Sequence, residues 1–189
     1  MCGIIGINSN KEVTSTILNS LRKLEYRGYD SAGIATLNSG YIQEVKCEGR
    51  VDNLEKNIIK NKLLGNVGIG HVRWATHGIP STLNAHPHSS DNVSVVHNGI
   101  IENSTLLKKF LVKKGHRFKS QTDTEVIVHL ITEYLKKNNL IDTLTKVLKK
   151  LHGSFALGII FKDEPDLIVG ARRLSLIHIS SPRDCQWSR

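Results

Sequence analysis

The sequence predicts an α+β fold built on antiparallel sheets. Strand-like segments come in consecutive pairs, and three helical segments follow one another between residues 104 and 151. A doubly wound parallel sheet would instead alternate strand and helix throughout. The 189 residues fit a single domain, long enough to bury about 70% of the unfolded surface around one core.

Residues 2–7 read as a buried strand. Residues 11–24 follow as an amphipathic helix, with Val13, Ile17, Leu18, Leu21 and Leu24 on one stripe. Short strands are expected at 31–37 and 41–46, a helix near 53–60, and further strands at 67–71 and 93–97. Between the last two lies an irregular stretch, 73–91, rich in Gly, Pro, Ser and His and too long for a plain connection. Residues 104–114 should be helical. Thr122-Asp123-Thr124-Glu125 reads as a capping box opening a helix to about residue 136, with core stripe Val126, Ile127, Leu130, Ile131 and Tyr134. A third helix at 141–151 and strands at 154–161 and 167–169 complete the pattern.

Composition narrows the function. There is no apolar run of about eighteen residues and no basic N-terminal region, so no membrane span or secretory signal is expected, and the reading is a cytoplasmic protein. Cys2, Cys47 and Cys185 are too far apart for a disulfide framework or a zinc ligand pattern. The net charge of +9 raises nucleic-acid binding. However, Lys108, Lys109, Lys113, Lys114, Lys136, Lys137, Lys146, Lys149 and Lys150 mark polar helix faces with no interleaved aromatics, so no nucleic-acid partner is expected. His71, His77, His86, His88 and His97 match no ligand spacing, and neither metal nor cofactor is expected.

The chemistry-bearing residue stands second. A start methionine before so small a residue is normally trimmed, leaving Cys2 with a thiol and a free α-amine together. That amine titrates at about 7.7–8.0 against about 10.4 for lysine, so nucleophile and base come in one residue. The plain alternative is an ordinary residue at the start of a strand. Residues 27–33 have the composition of a helix-to-strand loop. Arg73-Trp74-Ala75-Thr76-His77-Gly78 carries an arginine able to clasp a carboxylate and an indole able to cover a pocket. Taken alone, Asn98-Gly99 reads as a tight hairpin turn. The same pair can aim an amide and a backbone N–H at one point, as an oxyanion requires. Asp123, at a helix start, is ordinarily a carboxylate favoured by the helix dipole.

In this order the residues resemble the glutaminase domain of the glutamine–fructose-6-phosphate aminotransferase family, class II glutamine amidotransferases of the N-terminal nucleophile hydrolase fold. The likeness rests on Cys2-Gly3-Ile4, the string from Glu25 to Gly33, Arg73 to Gly78, Asn84-Ala85-His86-Pro87-His88, His97-Asn98-Gly99 and Thr122-Asp123-Thr124-Glu125. The resemblance implies a four-layer αββα sandwich. In it Cys2 attacks the side-chain amide of glutamine, Asn98 and the Gly99 N–H hold the oxyanion, and Arg27 supports the reacting centre. Arg73 would grip the substrate carboxylate and Asp123 its ammonium, with Thr76 and His77 completing the shell. Trp74 would be hinge and lid of a closing loop, and His86 and His97 structural or gating residues.

Tyr26-Arg27-Gly28-Tyr29-Asp30 and Trp74-Ala75-Thr76-His77 match the hexosamine-forming relatives rather than the purine-forming ones. Another class II amidotransferase, or an inactive amino-acid-binding regulatory domain of the same fold, is the alternative. By the same likeness, residues 1–173 form a partial class II amidotransferase domain. Fructose 6-phosphate would be reached only through isomerase domains that this chain lacks, and the longer enzyme would be a homodimer. After Arg173 the pattern stops. Residues 174–189 resemble a translated sequencing-library adapter, and a segment foreign to the family is expected there.

Overall fold

The computed structural model describes residues 2–75 and 78–174. Two antiparallel four-stranded sheets form its centre. The first has the order β1 (Gly3–Asn8), β4 (Val67–Arg73), β2 (Ser31–Asn38), β3 (Tyr41–Glu48); the second runs β5 (His88–Ser89), β6 (Val93–Gly99), β7 (Phe155–Phe161), β8 (Glu164–Arg173).

Three apolar clusters define the layers. Helix α1 (Thr14–Leu24) sets Ile17, Leu18 and Leu21 against Ile34 and Val72 of the first sheet, and α2 (Val51–Asn61) adds Val51, Leu54 and Ile58. Helices α3 (Ser104–Lys113), α4 (Thr124–Leu135) and α5 (Leu140–Lys150) cover the outer face of the second sheet, where Ile127, Leu130, Ile131 and Val147 meet Val95, Phe155 and Ile159. Between the sheets, Ala35, Leu37, Val67 and Ile69 pack on Val96 and Ile160. The result is the expected αββα sandwich. All seven residues of β4 are buried, because this strand is central in its sheet and covered on both faces.

Several local expectations are corrected. Helix α1 begins at Thr14, not residue 11. The Glu12 carboxylate accepts the Thr14 N–H at 2.6 Å and Val13 N–H donates to Gly65 O at 2.9 Å, which holds the preceding residues against the 63–65 loop. Asn98-Gly99 is not a hairpin turn. Both are ladder residues of β6, opposite Ala156 and Phe155, and the chain runs on to α3 rather than turning into a strand.

The capping box is also rearranged. Asp123 is the residue before α4, but its carboxylate accepts the Ile101 N–H at 2.7 Å, while Glu125 reaches back to the N–H groups of Lys119 and Ser120 at 2.8 and 2.6 Å. Inside the long loop, His88 and Ser89 pair with β6, a two-residue strand too short to leave a periodic signature. β8 starts at Glu164 because Phe161 and Glu164 close a tight hairpin; Pro165 is tolerated there on an edge strand. Among the described residues, no helix is long and apolar enough to cross a membrane.

Candidate active site

Cys2 sits just before β1. Because Gly3 pairs with Val72, the cysteine lies beside the exit of β4, where the chain becomes Arg73-Trp74. The thiol faces that peptide closely. Trp74 N–H points at Sγ over 3.2 Å, and the S–H faces Trp74 O at 3.5 Å. The Cys2 carbonyl is gripped from two further directions: Arg27 Nε donates at 3.2 Å and Asn98 Nδ2 at 3.1 Å. Arg27 ends a short 3₁₀ turn after α1, whereas Asn98 belongs to the opposite sheet. The nucleophile candidate therefore lies at a junction of three elements. Burial pushes the Cys2 thiol above its ordinary value, with the Trp74 peptide hydrogen bond acting the other way. At neutral pH it is a thiol, and it needs a base before it can attack.

Gly28 makes this approach possible. A Cβ there would lie 2.5 Å from both the carbonyl carbon and oxygen of Arg73 and 2.8 Å from Trp74 N. Only a hydrogen fits between the two backbones. Gly99 is constrained differently, with φ of 125° and only 2.1 Å between an added Cβ and Ser154 O.

A second group anchors the loop. The Asp30 carboxylate accepts Ser31 Oγ at 2.9 Å and the Ala75 N–H, and lies 3.9 Å from Arg73 Nη1. Arg73 is buried, and its Nη2 donates to Gly78 O at 3.3 Å. Trp74 is half exposed and sets its ring edge-on to Tyr29 with centroids 5.8 Å apart. Further along, Asn84 Nδ2 donates to Gln121 Oε1 at 3.2 Å and Gln121 N–H donates to Asn84 Oδ1 at 2.9 Å, tying the loop to the segment that carries Asp123. Thr76 and His77 lie outside the described residues.

Behind Asn98 stands a set of buried histidines. His97 Nδ1 lies 2.9 Å from Thr124 Oγ1, and His97 N–H faces His86 Nδ1 at 3.4 Å. The His86 ring lies 4.3 Å from that of His71 and 5.0 Å from that of His88. Burial is the main cause that lowers the proton affinity of His71 and His88, each to about 3, and of His86, whose neighbours push the same way. All three are neutral at working pH. Among the described residues no group of three or more His, Cys, Asp or Glu is placed to hold a metal ion.

Of the residues picked from sequence, Cys2, Arg27, Trp74 and Asn98 meet directly. Arg73 joins them through the Asp30 group. Asp123 is held by Ile101, and His86 and His97 stand behind the strand. Sequence reasoning missed the contacts of Asp30, although it lies inside a motif already singled out. It also passed over His71 as a contact, although a histidine directly after the apolar run Val67-Gly68-Ile69-Gly70 of β4 was a visible signal.

A profile described as a glutamine amidotransferase domain matches residues 71–177. The chain belongs to that family. It is 53% identical over 186 residues to the glutamine–fructose-6-phosphate aminotransferase (isomerizing) of Clostridium acetobutylicum, covering 97% of this chain and 30% of that protein. The protein of the same name from Mesorhizobium japonicum is 51% identical over 173 residues, covering 91% of this chain and 28% of that one. The chain thus spans under a third of the length of the curated relatives it matches. Among solved structures it is similar to the glutamine phosphoribosylpyrophosphate amidotransferase of B. subtilis, at 30% identity and a TM-score of 0.75, covering 86% of this chain and 35% of that one. A glutamine aminotransferase class-II domain protein from Silicibacter pomeroyi, at 17% identity and a TM-score of 0.53 over 79% of this chain and 71% of that one, shares the fold. The fold is that of the N-terminal nucleophile hydrolases, as expected from the sequence.

Proposed function

We propose that this chain is the glutaminase portion of a glutamine–fructose-6-phosphate aminotransferase and hydrolyses glutamine to glutamate and ammonia. The observation that carries the reading is the convergence of Arg27, Trp74 and Asn98 on Cys2, in a chain whose relatives at about half identity bear that enzyme's name.

In this reading trimming of Met1 frees the α-amine of Cys2. That amine takes the thiol proton as sulfur attacks the glutamine amide carbon, and passes it to the departing nitrogen. Ammonia leaves and a thioester remains. Water then attacks the thioester, glutamate departs, and the proton returns to sulfur. The second N–H of Asn98 and the Gly99 N–H would hold the oxyanion in both halves. Arg73 and Asp123 would take the substrate carboxylate and ammonium, with Thr76 and His77 completing the shell, Trp74 closing over the pocket, and His86 and His97 acting as structural or gating residues.

Ammonia would pass to fructose 6-phosphate only in a longer, homodimeric cytoplasmic enzyme containing the sugar-binding part. Residues 1–173 would be its amidotransferase portion, and residues 174–189 a segment foreign to the family; resequencing the gene from an independent library and finding the same codons would remove the last point. The test of the activity is glutamate release from glutamine by the unsubstituted chain and by Cys2→Ser. Turnover is expected from the first alone, and equal rates from both would end the proposal.

A further inference from the structure

His71, one strand away from the reacting thiol, has no place in the mechanism above, yet its hydrogen bonds end on Asn98. Its Nε2 lies 3.1 Å from the backbone carbonyl of His97 and 3.0 Å from Asn98 Oδ1. A backbone carbonyl only accepts, so Nε2 must carry the proton. A protonated Nε2 in turn requires an acceptor at 3.0 Å, which fixes that atom of Asn98 as the amide oxygen. The amide nitrogen then faces the other way, toward Cys2 O at 3.1 Å, again an obligate acceptor. Two backbone carbonyls, one at each end, thus determine both the histidine tautomer and the amide orientation.

The rest of His71 suits a fixed donor. The ring is fully buried and Nδ1 has no hydrogen-bond partner among the described residues, so leaving that nitrogen unprotonated avoids stranding a buried N–H. Burial keeps the ring neutral, and the His86 ring packs against it at 4.3 Å. A neutral, immobile imidazole cannot exchange its donor for an acceptor by titrating in the working range.

We propose that His71 is a positioning residue that holds the Asn98 side chain with its N–H groups toward Cys2, so that one N–H serves the Cys2 carbonyl and the other is left for the oxyanion. Reversal of the amide would turn Oδ1 toward the developing negative charge and convert a stabilising group into a repulsive one. This rests on the glutaminase reading for its catalytic consequence, but not for its geometry.

Two measurements test it. In the 15N-labelled, unsubstituted chain, long-range proton–nitrogen correlation should show His71 with a protonated Nε2 and a bare Nδ1. The opposite tautomer overturns the proposal whether or not the chain hydrolyses glutamine.

In kinetics, His71→Met should lower kcat for glutamine about a hundred-fold, the loss expected when an oxyanion donor is misaligned. KM and the rate of Cys2 alkylation by iodoacetamide, a displacement with no oxyanion, should stay near the original values. His71→Gln, which sets an amide N–H near the Nε2 position, should recover much of kcat. Added to Asn98→Ala, His71→Met should cost nothing further, and independent losses that multiply would overturn the proposal. If His71→Met loses the far-ultraviolet circular dichroism of the unsubstituted chain, or opens the buried Cys47 thiol to iodoacetamide, it has lost the fold, and the tautomer measurement decides alone. Absence of turnover in the unsubstituted chain would count against the glutaminase reading, while the tautomer still decides the role of His71.

Discussion

Mild acid should destabilise this protein, and the buried histidines say by how much. His71 and His88 titrate near 3 in the folded chain because burial disfavours the imidazolium, against about 6.5 when unfolded. The folded affinity lies below the unfolded one, so the unfolded chain gains protons first as pH falls. Stability is therefore intact above about 6.5 and lost on the way down toward about 3. At about pH 5 each site costs about 2 kcal/mol, from 1.36 kcal/mol per pH unit over about 1.5 units. The pair alone costs about 4 kcal/mol, a large share of a typical 5–15 kcal/mol stability, and His86, kept neutral chiefly by burial, adds to the loss in the same direction.

Glu125 works in a lower window. Its carboxyl is held at about 2 by His129 and by the Lys119 and Ser120 donors, which outweigh its burial. Its contribution is present above the ordinary carboxylate range and is lost only as pH falls through that range toward 2. The interval from about pH 7 to about pH 5 thus isolates the histidines. Acidification also raises the charge of a chain already at +9, so the comparison with a variant is decisive. His88→Gln keeps a donor or acceptor for Thr122, 2.8 Å from His88 Nε2, but removes the titrating group. Urea unfolding followed by far-ultraviolet circular dichroism at the two pH values should show the unsubstituted chain losing at least about 4 kcal/mol and His88→Gln about 2 kcal/mol less than that chain. Equal pH dependence in the two proteins would refute the reasoning.

Other consequences follow from single contacts. Gly28→Ala should push the Arg73–Trp74 backbone away from the thiol and lower kcat/KM for glutamine about a hundred-fold, the effect of a misplacement near 1 Å; a rate within experimental error of the unsubstituted chain would contradict the close approach. Asp30→Asn weakens the tie between Arg73, Ala75 and Ser31, and should raise KM for glutamine more than it lowers kcat in a steady-state glutaminase assay. Leu21→Ala, at a fully buried position under the first sheet, should cost about 2–5 kcal/mol in chemical denaturation while leaving the Cys2 contacts in place.

Most of the architecture was legible because its elements carry strong periodic signals. The stripe of α1, the apolar run of β4 and the three successive helices each read correctly from spacing alone. What failed were positions decided by tertiary partners. Asn98-Gly99 has the composition of a hairpin turn, but pairing with β7 keeps it extended, and the chemistry it was picked for does not depend on the turn. The helix start at Thr14 was set by the 63–65 loop, which no local rule announces. The capping box read from Thr122 and Glu125 does not form as spaced, and the carboxylates of Asp123 and Glu125 instead accept the backbone N–H groups of Ile101 and of Lys119 and Ser120, which lie outside α4. In the site, residue types with strong chemical character stood out. Gly28, whose role is to be absent, and His71, whose role is to hold a neighbour, could be read only from coordinates.

The most direct test of the central claim is the intact mass of the expressed chain before and after exposure to an electrophile shaped like glutamine. The account predicts loss of the Met1 mass, then one adduct mapped to Cys2 and blocked by excess glutamine. A correctly trimmed chain that forms no adduct, or forms it equally well as Cys2→Ser, would contradict it.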